Sequence, residues 1–262
     1  MDNIQKTSIL GEQVTLYQPI QGYKSGIDPI FLAFFADVRE TDTVLDFGCG
    51  VGASMFALKF FYPSIKIHGV DIQEHLIDLA NKNIEENELD DVSCSLSCFS
   101  KLDITVDAVI MNPPYYGAGE FMHPHNEILQ KANVEGDLKL KDWIFHAGRR
   151  LKNKGRISIV HRAESLEEIL SLLVKNNFGG IATFPLWPKE GKLAKRIVIM
   201  AVKNSKKPSR LFPGIILHTD DNHYTPVAED ILRGRSEAFW KKAMGYGIMH
   251  SSFDKNTEST NK

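Results

Sequence analysis

The chain has 262 residues, enough for one α/β domain with additions and a sizeable core. With 31 basic and 33 acidic residues its net charge is −2, so any contact with nucleic acid must come from local patches and not from an overall basic surface. Cys49, Cys94 and Cys98 are too few for a disulfide framework and lack paired zinc spacing, Glu12 and Gln13 interrupt any leader pattern, and the longest apolar stretch, Ile27 to Val38, carries Asp28, Pro29 and Asp37. A soluble cytoplasmic protein that spans no membrane is expected.

In chain order, Thr7 to Leu16 reads as a small hairpin turning at Gly11-Glu12. A polar loop bracketed by glycines, Gly22-Tyr23-Lys24-Ser25-Gly26-Ile27-Asp28, precedes an apolar helix from Pro29 to about Val38, with Asp28 as its N-cap and Pro29 at its first position. Thr43 to Gly52 is a buried strand feeding the glycine turn Gly48-Cys49-Gly50-Val51-Gly52, and a helix follows from Ala53 to Phe61. Glycines at such a turn let a ligand approach the backbone and let the helix pack tightly on the strand.

The next strand, Ile65 to Val70, ends in Asp71, 25 residues after Asp46. That is near the roughly 20 at which an acid meets a ribose in a Rossmann unit, and a carboxylate at a strand tip can accept from two vicinal hydroxyls. Asp46 itself precedes the first glycine. It would repel a pyrophosphate but suits the amino group of a methionine moiety, which favours S-adenosylmethionine over a dinucleotide. Ile72, next to Asp71, belongs to the same expected cofactor site. An amphipathic helix, Glu74 to Glu88, and a third strand, Val92 to Ser97, come next.

Val106 to Met111 is a buried strand that stops at Asn112-Pro113-Pro114-Tyr115. The prolines lack a backbone N–H and hold Asn112 and Pro113 extended, so this segment offers acceptors, the Asn112 side-chain oxygen and the Pro113 carbonyl, beside the flat ring of Tyr115. Such a bracket suits a planar group carrying an NH₂. Tyr116 to Gly136 has little periodicity and reads as a lid over the substrate. His123-Pro124-His125 within it lacks the spacing and companions of a metal site, and no metal is expected.

Leu138 to Lys152 is an amphipathic helix closed by Gly155, Arg156 to His161 a strand, and Ser165 caps a helix to Asn177. Gly179-Gly180 then leads into the strand Ile181 to Phe184, and the last strand is Arg196 to Val202. The connection between these two strands carries Trp187 between Pro185 and Pro188, with Lys189, Lys192, Lys195 and Arg196. With Lys203, Lys206, Lys207 and Arg210 it reads either as a solvated loop or as one basic face for RNA phosphates and base stacking. A short helix, Ala228 to Leu232, follows Tyr224-Thr225-Pro226, and the Ser/Thr/Asn/Lys composition beyond Met249 reads as disordered.

The Asn-Pro-Pro-Tyr tetrapeptide after the fourth strand, the Asp46 to Gly52 turn and the Gly22 to Asp28 loop resemble the amino-methyltransferases. The Leu186-Trp187-Pro188 segment and Tyr224 to Gly234 extend the resemblance to the bacterial tRNA(Val) adenine-N6 methyltransferases, alphaproteobacterial type. The resemblance implies a Rossmann-like α/β fold with a mostly parallel sheet and an antiparallel edge strand. It implies S-adenosylmethionine as cofactor, held by Ser25, Asp28, Asp46, Gly48, Gly50, Gly52, Asp71, Ile72, Phe99 and Asn112, where Cys98-Phe99 stands in place of the usual adenine-binding acid. Asn112, Pro113, Pro114 and Tyr115 would be catalytic, and Tyr115, Tyr116, Lys189, Lys192, Lys195 and Arg196 would hold the tRNA. The expected organisation is hairpin and cofactor strap over 1–40, methyltransferase core over 41–205, extension over 206–249 and tail over 250–262. Enzymes that methylate a release-factor glutamine carry the same tetrapeptide, and guanine-N2 rRNA methyltransferases, which favour Phe over Tyr at its last position, are a further alternative.

Overall fold

The computed structural model describes residues 4–20, 26–115 and 138–235. The chain opens with a hairpin of β1 (Ile4–Ile9) and β2 (Val14–Pro19), joined where Leu10, Gly11 and Glu12 all take positive φ. There follow α1 (Asp28–Phe35), β3 (Thr43–Phe47), α2 (Ala53–Phe61), β4 (Lys66–Asp71), α3 (Glu74–Glu86), β5 (Val92–Leu96) and β6 (Val106–Met111). The second half holds α4 (Leu140–Arg150), β7 (Leu151–Arg162), α5 (Leu166–Lys175), β8 (Phe178–Trp187), β9 (Arg196–Lys203), the two-residue strands β10 (Arg210–Leu211) and β11 (Ile215–Ile216), and α6 (Pro226–Leu232). No helix among the described residues is long and apolar enough to cross a membrane.

All strands after the hairpin form one sheet in the order β10-β8-β9-β7-β6-β3-β4-β5, with β11 also on β8. Among the described residues only β9 runs antiparallel in this sheet, threaded between β7 and β8, so the expected Rossmann-like sheet is present with its antiparallel element toward one end. Strand side chains alternate between faces. Val44, Ile110, Val160, Val198 and Met200 join the core that includes α1, α2 and α6, while Leu45, Val109, Ile159, Ile197 and Ile199 join the one that includes α4 and α5. Continuous apolar runs are what a sheet buried on both faces requires.

The hairpin docks on α3 through two asparagines one helical turn apart. Asn83 accepts from Tyr17 N–H at 2.7 Å and donates to Tyr17 C=O at 3.0 Å, and Asn87 does the same for Thr15 at 2.8 Å each way. Asn83 also donates to Val51 C=O at 3.0 Å, tying hairpin, helix and glycine turn together.

Several element ends differ from the sequence expectation. α1 stops at Phe35 because Ala36 turns extended (ψ 134°). α4 ends at Arg150, and Gly155 lies within β7: a Cβ there would meet Lys152 C=O at 2.9 Å and Leu151 Cβ at 3.0 Å, so the glycine serves a tight bend after Leu151, not the helix end. Ser165 makes no cap bond; it closes a 3₁₀ turn, and α5 starts at Leu166. Gly179 and Gly180 belong to β8 at a register shift, where a Cβ on Gly179 would lie 2.2 Å from Ser205 C=O.

Candidate active site at the carboxyl ends of the strands

In open α/β sheets ligands collect where the parallel strands end. After β3, Gly48, Gly50 and Gly52 take φ of 66°, 55° and 93°, which suits residues without a Cβ. At Gly48 a Cβ would come within 2.5 Å of Trp143, and at Gly52 within 2.4 Å of Phe56, so these two glycines serve packing. A Cβ on Gly50 would meet nothing within 4 Å: its backbone faces open space, with its N–H bonded to Asp71 Oδ2 at 2.9 Å.

Asp46 is 1% exposed, and its Oδ2 has no hydrogen-bond partner among the described residues. Burial, and secondarily the charge of Asp71, pushes its carboxyl well above the usual carboxylate range. Asp71, at the tip of β4, accepts Gly50 N–H with one oxygen and Gln73 N–H at 2.9 Å with the other. Burial raises this carboxyl too, against those backbone bonds. An orphaned buried carboxylate oxygen is rare and is what an ammonium group satisfies, while Asp71 keeps further lone pairs for hydroxyls. These donors and acceptors fit the methionine and ribose ends of S-adenosylmethionine.

Phe99 does not offer the expected surface for adenine. Its ring is stacked on Phe47 (centroids 4.5 Å apart, 6° between planes) with Trp143 at 4.7 Å, and it is 5% exposed, so it braces the core wall. Ile72 is exposed beside Asp71, and Cys98 Sγ lies 3.0 Å from Ser100 Oγ. Ser25, Tyr116, the expected lid over 116–136 and its two histidines lie outside the described residues.

Asn112 to Tyr115 leave the end of β6, the neighbour of β3, where Met111 pairs with Phe47 just before the glycine turn. Tyr115 Oη lies 2.8 Å from Asn112 Oδ1 and 2.7 Å from Asp28 Oδ2, and Arg196 Nε–H donates to that same Asp28 oxygen at 2.9 Å. The Arg196 guanidinium sits over the Tyr115 ring, 4.7 Å from its centroid, and His161 packs against the ring at 5.0 Å. The Asp28 cap is thereby corrected. Ile27 holds the N-cap position in helical geometry with no side-chain cap, and Asp28 is the first helical residue, its carboxylate turned to Tyr115 and Arg196. An acid there still suits the positive helix terminus.

The single basic face is corrected as well. β9 starts beside the site, with Arg196 opposite Arg162 and Leu186, and runs away from it for roughly 25 Å at about 3.3 Å per residue. Lys203, Lys206 and Lys207 therefore sit at the far end of the sheet. Lys189, Lys192 and Lys195 stay on the β8–β9 connection at the site's end, where Lys189 Nζ donates to Asp220 C=O at 2.9 Å. Lys189 and Lys192 border a cavity of about 760 Å³ walled by Trp187, Pro213, Ile216 and Val227.

Sequence reasoning missed His161, whose only signal is an imidazole at the end of an apolar strand. It is 6% exposed, and its Nδ1 has no partner among the described residues. Burial, with Arg162 and Arg196 adding, pulls it from the usual 6.5 to about 4. The imidazole is neutral in the fold and takes up a proton on unfolding between those values. Stability from this residue is therefore present above pH 6.5 and lost as pH falls towards 4. His161→Gln is expected to flatten the loss of unfolding free energy between pH 7 and 5 by about 1–2 kcal/mol, read from denaturant titrations; an unchanged slope would contradict the assignment.

The family model described as the methyltransferase small domain matches residues 28–183, more than half of the chain. A tRNA1(Val) (adenine(37)-N6)-methyltransferase of Aeromonas salmonicida is 27% identical over 183 residues, covering 68% of this chain and 75% of its own. A release factor glutamine methyltransferase of Buchnera aphidicola is 28% identical over 148 residues, 54% of this chain and 53% of its own. Among solved structures, a predicted O-methyltransferase of Agrobacterium tumefaciens has the same fold, with a TM-score of 0.64 at 23% identity over 80% of this chain and 97% of that one. With the glycine turn, the paired carboxylates and the strand order already described, this chain belongs to the methyltransferase small-domain family and is an S-adenosylmethionine-dependent methyltransferase.

Proposed function

We propose that this chain methylates the exocyclic N6 of an adenine in tRNA, tRNA(Val) next to the anticodon being the substrate its relatives suggest, and that it does so in the cytoplasm. The observation that carries this is the Asn112-Pro113 bracket, a segment whose prolines lack a backbone N–H, at the end of β6 beside the end of β3. The relatives of that name also extend over more of the chain than the release-factor enzymes, 68% against 54% for the two compared above.

The bound cofactor supplies a methyl group on a sulfonium. Asp46 would hold its amino group, Asp71 its ribose hydroxyls, and the Gly50 backbone would border it. The exocyclic nitrogen of adenine is a poor nucleophile because its lone pair is delocalised into the ring. Asn112 Oδ1 and Pro113 C=O, accepting its two N–H bonds, draw that nitrogen towards a tetrahedral shape and aim the lone pair. Tyr115 packs on the base, a contact worth about 1–3 kcal/mol. Most of the acceleration then comes from orientation, which can supply several kcal/mol. No strong base is needed, because the nitrogen turns acidic only once it is methylated and then releases its proton to water. Lys189, Lys192 and Lys195, on the β8–β9 connection, would meet phosphates on the flanking RNA.

Nucleoside mass spectrometry of tRNA from a deletion strain, with methylation of that tRNA by the purified protein, tests this reading. Loss of N6-methyladenosine from one tRNA and its restoration in vitro are expected. Unchanged tRNA together with methylation of a release-factor glutamine would replace the reading with its competitor.

A further inference from the structure

The cavity beside the β8–β9 connection has apolar walls, Trp187, Pro213, Ile216 and Val227, and two lysines on its border, Lys189 and Lys192. Its volume of about 760 Å³ is that of a ligand pocket. The walls are tied to one another. Ile215 and Ile216 of β11 pair with Leu186 and Trp187 of β8, and Leu217 N–H donates to Trp187 C=O at 2.7 Å. Thr225 Oγ1 donates to Ile216 C=O at 2.6 Å, which fixes the start of α6 to the same wall. The Trp187 indole N–H donates to Pro213 C=O at 3.0 Å, so the only polar atom of that side chain is satisfied and the ring offers a ligand apolar surface alone.

Position and charge name the ligand. Arg196 pairs with Leu186, the residue before Trp187, so the cavity starts about one strand spacing, roughly 5 Å, from the residue whose guanidinium covers the Tyr115 ring. An ammonium has three donors, and Lys189 places one on a neutral carbonyl, Asp220 C=O, at 2.9 Å. Apolar walls with cations at their border suit a flat base joined to a phosphate. Glu190, also on the lining, disfavours a second phosphate and suits the N–H groups of a base.

We propose that this cavity takes the base of a nucleotide flanking the target adenine, stacked on Trp187, with the adjoining phosphate on Lys189 and Lys192. The inference rests on the RNA substrate proposed above and adds a second base site to it. Two bases held at once fix the register of the strand, whatever the flanking base, because every base has a face that stacks.

The test is tRNA affinity by filter binding over a range of salt, for the full chain and for Trp187→Ala, Trp187→Phe and Lys192→Ala. Trp187→Ala is expected to bind about five- to hundredfold more weakly, the factor that one base–aromatic stack corresponds to, with an unchanged salt slope. Trp187→Phe loses the same bond to Pro213 but keeps a ring, and should retain most of the affinity. Lys192→Ala should lower the slope of log affinity against log salt by roughly 0.7–0.9. Equal losses in Trp187→Ala and Trp187→Phe would assign the effect to the Pro213 bond and overturn the base site, as would no loss in Trp187→Ala; either way, tRNA binding by the wild type leaves the RNA reading standing. A wild-type protein that binds no tRNA overturns both.

A second readout needs no truncated side chain. With fluorotryptophan incorporated, the ¹⁹F resonance of Trp187, assigned by its absence in Trp187→Phe, is expected to shift when the wild-type protein is saturated with tRNA. An unmoved resonance would overturn the base site.

Discussion

Asp46→Asn is expected to weaken cofactor binding and to stabilise the ligand-free protein, two effects of opposite sign from one atom. The Asp46 carboxylate is buried, lacks a partner on Oδ2 among the described residues, and has its proton affinity raised by burial and then by Asp71. Because the folded state holds that proton more tightly than the unfolded chain, this residue stabilises the fold at low pH. The contribution is lost as pH rises above the ordinary value of 3.8. At neutral pH the group burdens the ligand-free fold, by burying a charge or by taking up a proton, and an isosteric amide lifts that cost. The melting temperature should rise by about 2–4 °C for each kcal/mol relieved. The same change removes the charged acceptor for an ammonium, so affinity for S-adenosylmethionine should fall by about ten- to hundredfold or more. Calorimetric titration and thermal melts at pH 7 read both. A variant that melts lower and still binds the cofactor would show that the carboxylate serves the core instead.

Asn112→Ala should leave cofactor affinity intact and lower kcat by about 10²–10³, the range for removing one group that acts mainly on the reacting centre. Tyr115 keeps its 2.7 Å bond to Asp28, so the fold loses little. The competing role, a structural strand end, makes a different forecast, with melting temperature and activity falling together. Single-turnover rates beside a melt distinguish the two, and robust methylation by a folded Asn112→Ala protein would sink the mechanism.

Much of this architecture was legible because its signals are local. Apolar runs at Val44, Val106 and Ile197 announce strands buried on two faces, and the Gly48-to-Gly52 turn with Asp71 at the next strand tip marks the carboxyl end of the parallel strands. What escaped was non-local. Asp28 looks like an N-cap because its partners, Tyr115 and Arg196, are 87 and 168 residues away. The lysines after Trp187 look continuous with Lys206 because nothing in a sequence marks that β9 runs away from the site between them. Gly155 looks like a helix stop, yet the bend it permits is set by the side chain of Leu151 packing beneath it. Phe99 had the right neighbourhood, but its burial depends on Phe47 and Trp143, brought in from two other elements.

The two asparagines at the end of α3, Asn83 and the capping Asn87, have a mechanical consequence. An edge strand normally exposes a row of backbone donors and acceptors on which another chain can grow. Along β2 that row is met at Thr15 and Tyr17 by Asn87 and Asn83, so a helix serves as a surrogate strand and the edge is closed to a stranger. Because Asn83 also grips Val51, a pull on the amino-terminal segment is carried by one rigid amide into the glycine turn after β3. The hairpin is thus part of the lever on which that turn rests.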